Sequence, residues 1–208
     1  MSAKQSYHHG DLRAALVDAT RVLVEGKGPD HFSVSEAARA AGVSTTAPYK
    51  HFKDREGMLM AVVLDGLDRK QKKLQEALAA YPDPCQARIE TLGRVYIDFA
   101  VNEPGVFRLI FGLSEGHDQD EEIALRGQKM FEMVQSEVAA FLGCDPNTED
   151  ARDRAMMLWS FVHGLSFLLI DGKVSSMGLE PDIDGMLREI GWRVMVAEPG
   201  KLRDKSIG

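Results

Sequence analysis

Two groups of residues have types and spacings that could do chemistry. The first is Ser44-Thr45-Thr46-Ala47-Pro48-Tyr49-Lys50-His51, a short polar stretch with hydroxyls at its start and a phenol, an ammonium and an imidazole along it. Taken alone it reads as a solvated surface helix. The second is Trp159 with His163, which on a helix turning roughly 100° per residue lie about 40° apart and share a face. With Tyr96, Phe99, Phe107 and Phe111 they can line an apolar cavity offering a few polar handles, the usual make-up of a small-molecule site, or they can simply be packed core. His8-His9 can bind a metal or lie in a mobile lead-in. Catalytic patterns are absent: there is no HExxH, GxSxG, P-loop or GxGxxG, and no carboxylate pair stands embedded in apolar sequence. Cys85 and Cys144 make neither a CxxC pair nor a zinc spacing, so no metal site and no cofactor are expected. The chain is not expected to be an enzyme.

The first group needs a scaffold, and the sequence around it supplies one. Leu12, Ala15, Leu16, Ala19 and Leu23 recur at spacings of three and four from Gly10 to Glu25, an amphipathic helix that Gly26 and Gly28 stop. Phe32 then precedes Ser33, with Glu36 three residues on. Ser33 can cap a second helix through Val34, Ala37, Ala38 and Ala41 while Glu36 reaches back and Phe32 packs as a staple. Gly42 stands where a left-handed residue would end that helix, and Val43 can plug the corner. Ser44 or Thr45 can cap a third helix through Phe52, begun near Thr45 or Thr46 so that Pro48 falls in its first turn. Small residues at Ala37, Ala38, Ala40 and Ala41 allow close approach over a core of Val34, Val43, Tyr49 and Phe52. Two helices joined by a tight glycine-containing turn make a helix-turn-helix.

Further along, Asp54 can cap a long helix through Leu64, Leu67, Leu74 and Leu78, and Asp83-Pro84 read as cap and first position of another, with Ile89, Leu92, Tyr96 and Phe99 on one face. Glu103-Pro104-Gly105 breaks that helix, and a short apolar helix from Val106 to Phe111 is ended by Gly112. A loop from Ser114 to Asp120 leads to helices over Glu121–Leu142, Glu149 to about Ile170 with Thr148 or Asn147 as cap, and Ile183–Val196, before a fraying tail from Glu198. No strand-like alternation appears. The expected fold is all-α, about nine helices, divided into a three-helix head at 1–53 and a larger body at 54–208.

Composition is compatible with both parts. With 44% hydrophobic and 27% charged residues over 208 positions, the chain is an ordinary globular protein long enough for a real core. No apolar run approaches the roughly 20 residues of a membrane span, and the start lacks the apolar centre of a signal peptide, so a cytoplasmic setting without membrane partners is expected. The net charge of -7 at first opposes a phosphate-rich partner, but its distribution does not. Residues 1–55 carry eight basic and six acidic side chains, a net +2, which leaves -9 on the remainder.

The segments Phe32-Ser33-Val34, Glu36-Ala37-Ala38, Ala41-Gly42-Val43-Ser44, Tyr49-Lys50-His51-Phe52 and Lys53-Asp54-Arg55-Glu56-Gly57-Met58-Leu59 together closely resemble the DNA-binding domain of the TetR (tetracycline-repressor-like) family of regulators. Ala47-Pro48, where a threonine-leucine pair is common, and Gly57 early in the next helix depart from that pattern. Tyr96 to Gly112 and Leu158-Trp159-Ser160-Phe161-Val162-His163-Gly164-Leu165 resemble the C-terminal domain of one TetR subgroup. The resemblance therefore spans nearly the whole chain, more specifically in the head.

It implies a ligand-responsive transcription regulator, a repressor, binding a palindromic DNA operator as a homodimer and released by a small, largely apolar effector. Thr45, Thr46 and Ala47 would face bases, Tyr49, His51 and Lys53 would hold phosphates, and Ser33 and Lys50 would add contacts. The effector would occupy the body near Tyr96, Phe99, Phe107, Phe111, Trp159 and His163. Phe161, Leu165, Leu168, Leu169, Ile190 and Val194 would form the dimer interface, placing two heads about 34 to 36 Å apart for neighbouring major grooves. Two rivals remain at this point: a ligand-binding protein or enzyme that keeps the head as a relic, and an architectural DNA-binding protein without an effector.

Overall fold

The computed structural model describes residues 9–112 and 121–196, with side chains from Leu12 onward. Among these residues the fold is all-α. Its helices are α1 (His9–Lys27), α2 (Val34–Ala40), α3 (Arg55–Leu78), α4 (Gln86–Asn102), α5 (Pro104–Gly112), α6 (Glu121–Leu142), α7 (Glu149–Ile170), α8 (Lys173–Ser176) and α9 (Ile183–Val196), with one 3-10 turn at Ala47–Lys50. His8, the side chain of His9, the loop from Ser114 to Asp120 and the tail from Glu198 lie outside the described residues.

Local signals account for most boundaries. The Ser33 hydroxyl accepts the Glu36 amide while the Glu36 carboxylate accepts the Ser33 amide, a complete capping box at the start of α2. At its end Gly42, at φ +70°, lets the Val43 amide reach the Ala38 carbonyl and its own amide reach Arg39, which closes the helix and turns the chain. Asp54 accepts the Gly57 amide at the start of α3, and the Thr148 hydroxyl accepts the Ala151 amide at the start of α7.

Three expectations need correction. The third head helix is only the 3-10 turn, preceded by Thr46, whose side chain makes no capping bond. Pro48 has no amide to close an α-helical turn and disfavours helical backbone at the residue before it, so the chain makes one tight turn and stops. α4 begins at Gln86 rather than at Pro84, because Arg88 donates to the Leu78 and Tyr81 carbonyls and closes the connection in place of an Asp83 cap. α8 is an addition, a four-residue helix between Gly172 and Gly178, both in the left-handed region and too close together for periodicity to register.

The chain packs as two compact units, Met1–Arg69 with Glu103–Asp118 and Lys70–Asn102 with Gln119–Gly208. This division by packing differs from the one drawn by motif at residue 53, since it leaves α5 and most of α3 with the head. In the first unit α1 packs on α2 and α5 around Leu16, Val24, Ala37, Val62, Val106 and Phe107. Glu25 of α1 accepts the amides of Gly105 and Val106, 2.8 Å each, and so caps α5 from another helix. Gly105 is required there, because a Cβ would stand 2.8 Å from the Val24 carbonyl oxygen and 2.9 Å from the Glu25 Cα.

In the second unit α4 packs against α6, α7 and α9 over a core that includes Leu74, Ile89, Leu92, Val138, Leu158 and Met195. Arg88 and Glu137 lock α4 to α6 through two parallel bonds of 2.6 Å. Gly93 brings α4 onto its neighbours, since a Cβ would lie 2.6 Å from a Leu187 methyl and 3.2 Å from Val162.

Candidate functional site

In the head, the residues between Gly42 and α3 are held from beneath and exposed above. Pro48 and Phe52 are buried, with the Arg13 guanidinium 5.3 Å from the centre of the Phe52 ring. The amides of His51 and Phe52 both donate to the Pro48 carbonyl at 2.9 Å, which clamps the turn. Thr45, Thr46, Lys50 and Lys53 are exposed, and Ser44 and Thr46 share a hydroxyl hydrogen bond of 3.2 Å.

Tyr49 is 60% exposed, so its expected place in the core is wrong: the 3-10 turn directs Pro48, not Tyr49, inward. Ala47 and His51 are half-buried. Ser33 is exposed, although its hydroxyl and amide are engaged by Glu36. Lys27, Ser33 and Glu36 form one network in which the bond from Lys27, and then those from Ser33, hold the Glu36 carboxyl down at about 2. Arg55 sits over the Phe32 ring at 5.1 Å and donates to the Pro29 carbonyl, which makes it a brace for the loop before α2.

In the second unit the structure brings Tyr96, Trp159 and His163 together. The Trp159 indole donates to the Tyr96 oxygen at 3.3 Å, and that oxygen lies 2.8 Å from His163 Nδ1. The Tyr96 hydroxyl and His163 Nδ1 therefore share one hydrogen bond, whose donor is set by the imidazole tautomer. Burial pushes the Tyr96 phenol up, against the Trp159 bond, and pushes His163 down, reinforced by the charge of Lys70. Both groups are therefore neutral at neutral pH.

Tyr96 and Trp159 also wall an apolar cavity of about 50 Å³, lined besides by Ile89, Leu92, Leu158 and Leu187 among others. Phe99 is buried in the same unit. Phe107 and Phe111 belong to the first unit, where their rings pack 4.8 Å apart, Phe107 fully buried.

Lys70 was not among the expected site residues. It is 4% exposed, and its ammonium lies 4.3 Å from the centre of the Tyr96 ring and 5.8 Å from that of Phe99. Burial alone pushes its pKa down to about 7. A signal was present in the sequence: Leu67, Lys70, Leu74 and Leu78 follow at spacings of three and four, which puts a lysine in the middle of an apolar helix stripe.

Of the expected interface residues, Leu165 and Val194 are 5% and 8% exposed and serve their own unit's core. Phe161, Leu169 and Ile190 are half-buried, and Leu168 is exposed. A groove of about 420 Å³ is lined by Phe161 of α7 and by Gly185, Met186, Glu189, Ile190 and Arg193 of α9.

The family model for bacterial regulatory proteins of the tetR family matches residues 16–62, and that for the tetracyclin repressor-like C-terminal domain matches residues 89–190. The chain belongs to the TetR family. This TetR-family chain is 31% identical over 123 residues to an uncharacterized HTH-type transcriptional regulator of Haemophilus influenzae, across 57% of its own length and 58% of that protein's. It thus spans little more than half of that relative. Its fold is similar to that of a protein of unknown function from Rhodococcus sp. RHA1, with a TM-score of 0.76 and 27% identity, covering 91% of this chain and 98% of that one. A tetR-family transcriptional regulator from Streptomyces coelicolor shares the fold at a TM-score of 0.70 and 16% identity, covering 90% of this chain and 80% of that one. No described helix is long and apolar enough to cross a membrane.

Proposed function

We propose that this TetR-family chain is a homodimeric repressor that binds a palindromic operator through its heads and releases it when a small, largely apolar molecule occupies the second unit. One observation carries the DNA-binding half: Thr45, Thr46, Tyr49, Lys50 and Lys53 are exposed on a segment whose backbone is fixed by Gly42, Pro48 and Phe52. Ordered hydroxyls can hydrogen-bond base edges, while the phenol and ammonium groups neutralise or bond phosphates and set register. Lys53 carries most of the salt-dependent affinity in this division, Thr45 and Thr46 most of the sequence preference.

Dimerisation rests on α7 and α9. Met157, Phe161, Gly164 and Leu168 are spaced by four, three and four residues, the seam of a helix that packs on another helix. Leu168 is 46% exposed, and Trp192 on α9 is 55% exposed. The interface we propose therefore replaces Leu165 and Val194 with Met157, Gly164 and Trp192. The effector reading rests on the apolar cavity beside Tyr96 and Trp159, with a polar chain at its edge, the make-up of a small-molecule site. A reading as a protein that keeps its head as a relic is separated by fluorescence anisotropy on DNA from upstream of its own gene. Saturable binding with a steep salt dependence is expected, and binding no tighter than to shuffled DNA of the same length overturns the proposal.

A further inference from the structure

Between Leu12 and Arg55 the chain carries seven lysine and arginine side chains, and they divide by what they meet. Arg21 pairs with Asp18 at 2.5 Å, Lys27 with Glu36 at 2.9 Å and Arg55 with Asp30 at 3.4 Å. Arg13, Arg39, Lys50 and Lys53 have no ion pair among the described residues. Lys50 and Lys53 are the cations of the exposed segment, and Arg13 is tied to that segment from another helix. Its guanidinium lies over Phe52, the residue between His51 and Lys53. Leu16 and Val17, one turn further along α1, are buried and fix the helix that carries it.

Arg55 shows what a guanidinium on a ring does when it braces the fold. It lies over Phe32 at 5.1 Å and spends donors on the Pro29 carbonyl and on Asp30. Arg13 has the same kind of ring contact, at 5.3 Å, and is exposed, but none of its five donors meets an acceptor among the described residues. The ring limits where the guanidinium can go and uses up no donor. A charged, exposed group held in this way is matched to a pair of anionic oxygens, and it loses less side-chain freedom on binding them than an unrestrained ammonium does. The imidazole next to Phe52 is worse placed. His51 Nε2 is closed off from solvent and has no hydrogen-bond partner, so that nitrogen is withheld from a phosphate.

We infer that Arg13 binds a backbone phosphate of the DNA duplex, so that the nucleic-acid surface of the head extends from the 3-10 turn onto α1. The inference rests on the DNA-binding reading above and adds a contact that the segment from Ser44 to Lys53 does not contain. With Lys53 it gives each head two cations around Phe52, both of which hold the backbone and set register without reading bases.

Fluorescence anisotropy over a salt series tests it, with a labelled duplex from upstream of the protein's own gene and a shuffled duplex of the same length. Arg13→Met keeps an apolar stem over Phe52 and removes the charge. It should weaken binding to both duplexes by roughly tenfold or more per subunit and lower the slope of log affinity against log salt by about 0.9 per subunit. Arg13→Lys should restore the slope and only part of the affinity. Arg21→Met removes the same charge eight residues along α1, about 12 Å away, which exceeds the roughly 10 Å screening length at 0.1 M salt, and should leave both quantities near wild type. The urea midpoint of Arg13→Met should stay close to that of wild type. A lowered midpoint with an unchanged salt slope marks a brace like Arg55 and overturns the proposal. So does a slope no lower than that of Arg21→Met, a slope in Arg13→Lys as low as in Arg13→Met, or a loss confined to the upstream duplex. Wild type that binds neither duplex fails the DNA-binding reading and this inference with it. Wild-type binding with an unchanged slope in Arg13→Met fails this inference alone.

Discussion

Gly164 lies in the C-terminal third of α7, on the proposed seam with Phe161 and Leu168, and a Cβ added there meets nothing within 4 Å. Within one subunit, Gly164→Ala should therefore gain what glycine forfeits in a helix interior, about 1 kcal/mol. Across a twofold interface the same methyl arrives from both copies. Overpacking costs about 1–3 kcal/mol per site, so the symmetric pair should weaken association by on the order of 2–6 kcal/mol. At about 1.4 kcal/mol per tenfold, that is a rise in the dimer dissociation constant of roughly 30-fold or more. Sedimentation velocity over a concentration series gives the dissociation constant, and urea unfolding at the lowest concentration gives the stability of the subunit. The two effects should have opposite signs. A variant that is simply more stable and dimerises within threefold of wild type would refute the idea that helices meet at Gly164. Leu165→Ala is the control: that side chain is buried in its own unit, so its loss should cost the subunit about 2–5 kcal/mol by cavity formation.

Other outcomes are open to measurement. Lys53→Ala should weaken binding to all DNA and lower the slope of log affinity against log salt by about 0.9 per subunit, while Thr46→Val should change preference among operator variants and leave the slope alone. Gly105→Ala should destabilise by at least about 1–3 kcal/mol, because the new Cβ faces backbone of α1 rather than a movable side chain, and urea unfolding reads it directly. Glu36 titrates at about 2 when folded against an ordinary 4.5, so its contribution is complete above about 4.5 and is lost as pH falls toward 2. Unfolding of Glu36→Gln should accordingly show a shallower loss of stability over that range. For Lys70 the sign is reversed. The unfolded chain holds the proton up to about 10 and the folded one only to about 7, so wild-type stability should rise with pH between these values, and Lys70→Met should lack that rise.

The sequence by itself determined several features written within a few residues. Ser33 with Glu36, Gly42, and the bounds of α6, α7 and α9 all agree with what periodicity and capping residues dictate, because a helix turn and its cap involve groups no more than four or five positions apart. The tertiary structure decided what depends on distant partners. Leu165 and Leu168 look alike in the sequence of α7, yet one is buried against its own unit and the other is exposed, and only the packing of α4 and α9 onto α7 separates them. Pro48 pointed inward and Tyr49 outward for a similar reason: a 3-10 turn rotates successive side chains differently from the α-helix that the pattern suggested. The capping of α5 by Glu25 and the meeting of Lys70 with Tyr96 join residues far apart in the chain. Periodicity assigns each residue a face on its own helix, and the neighbour on that face exists only once the helices have packed.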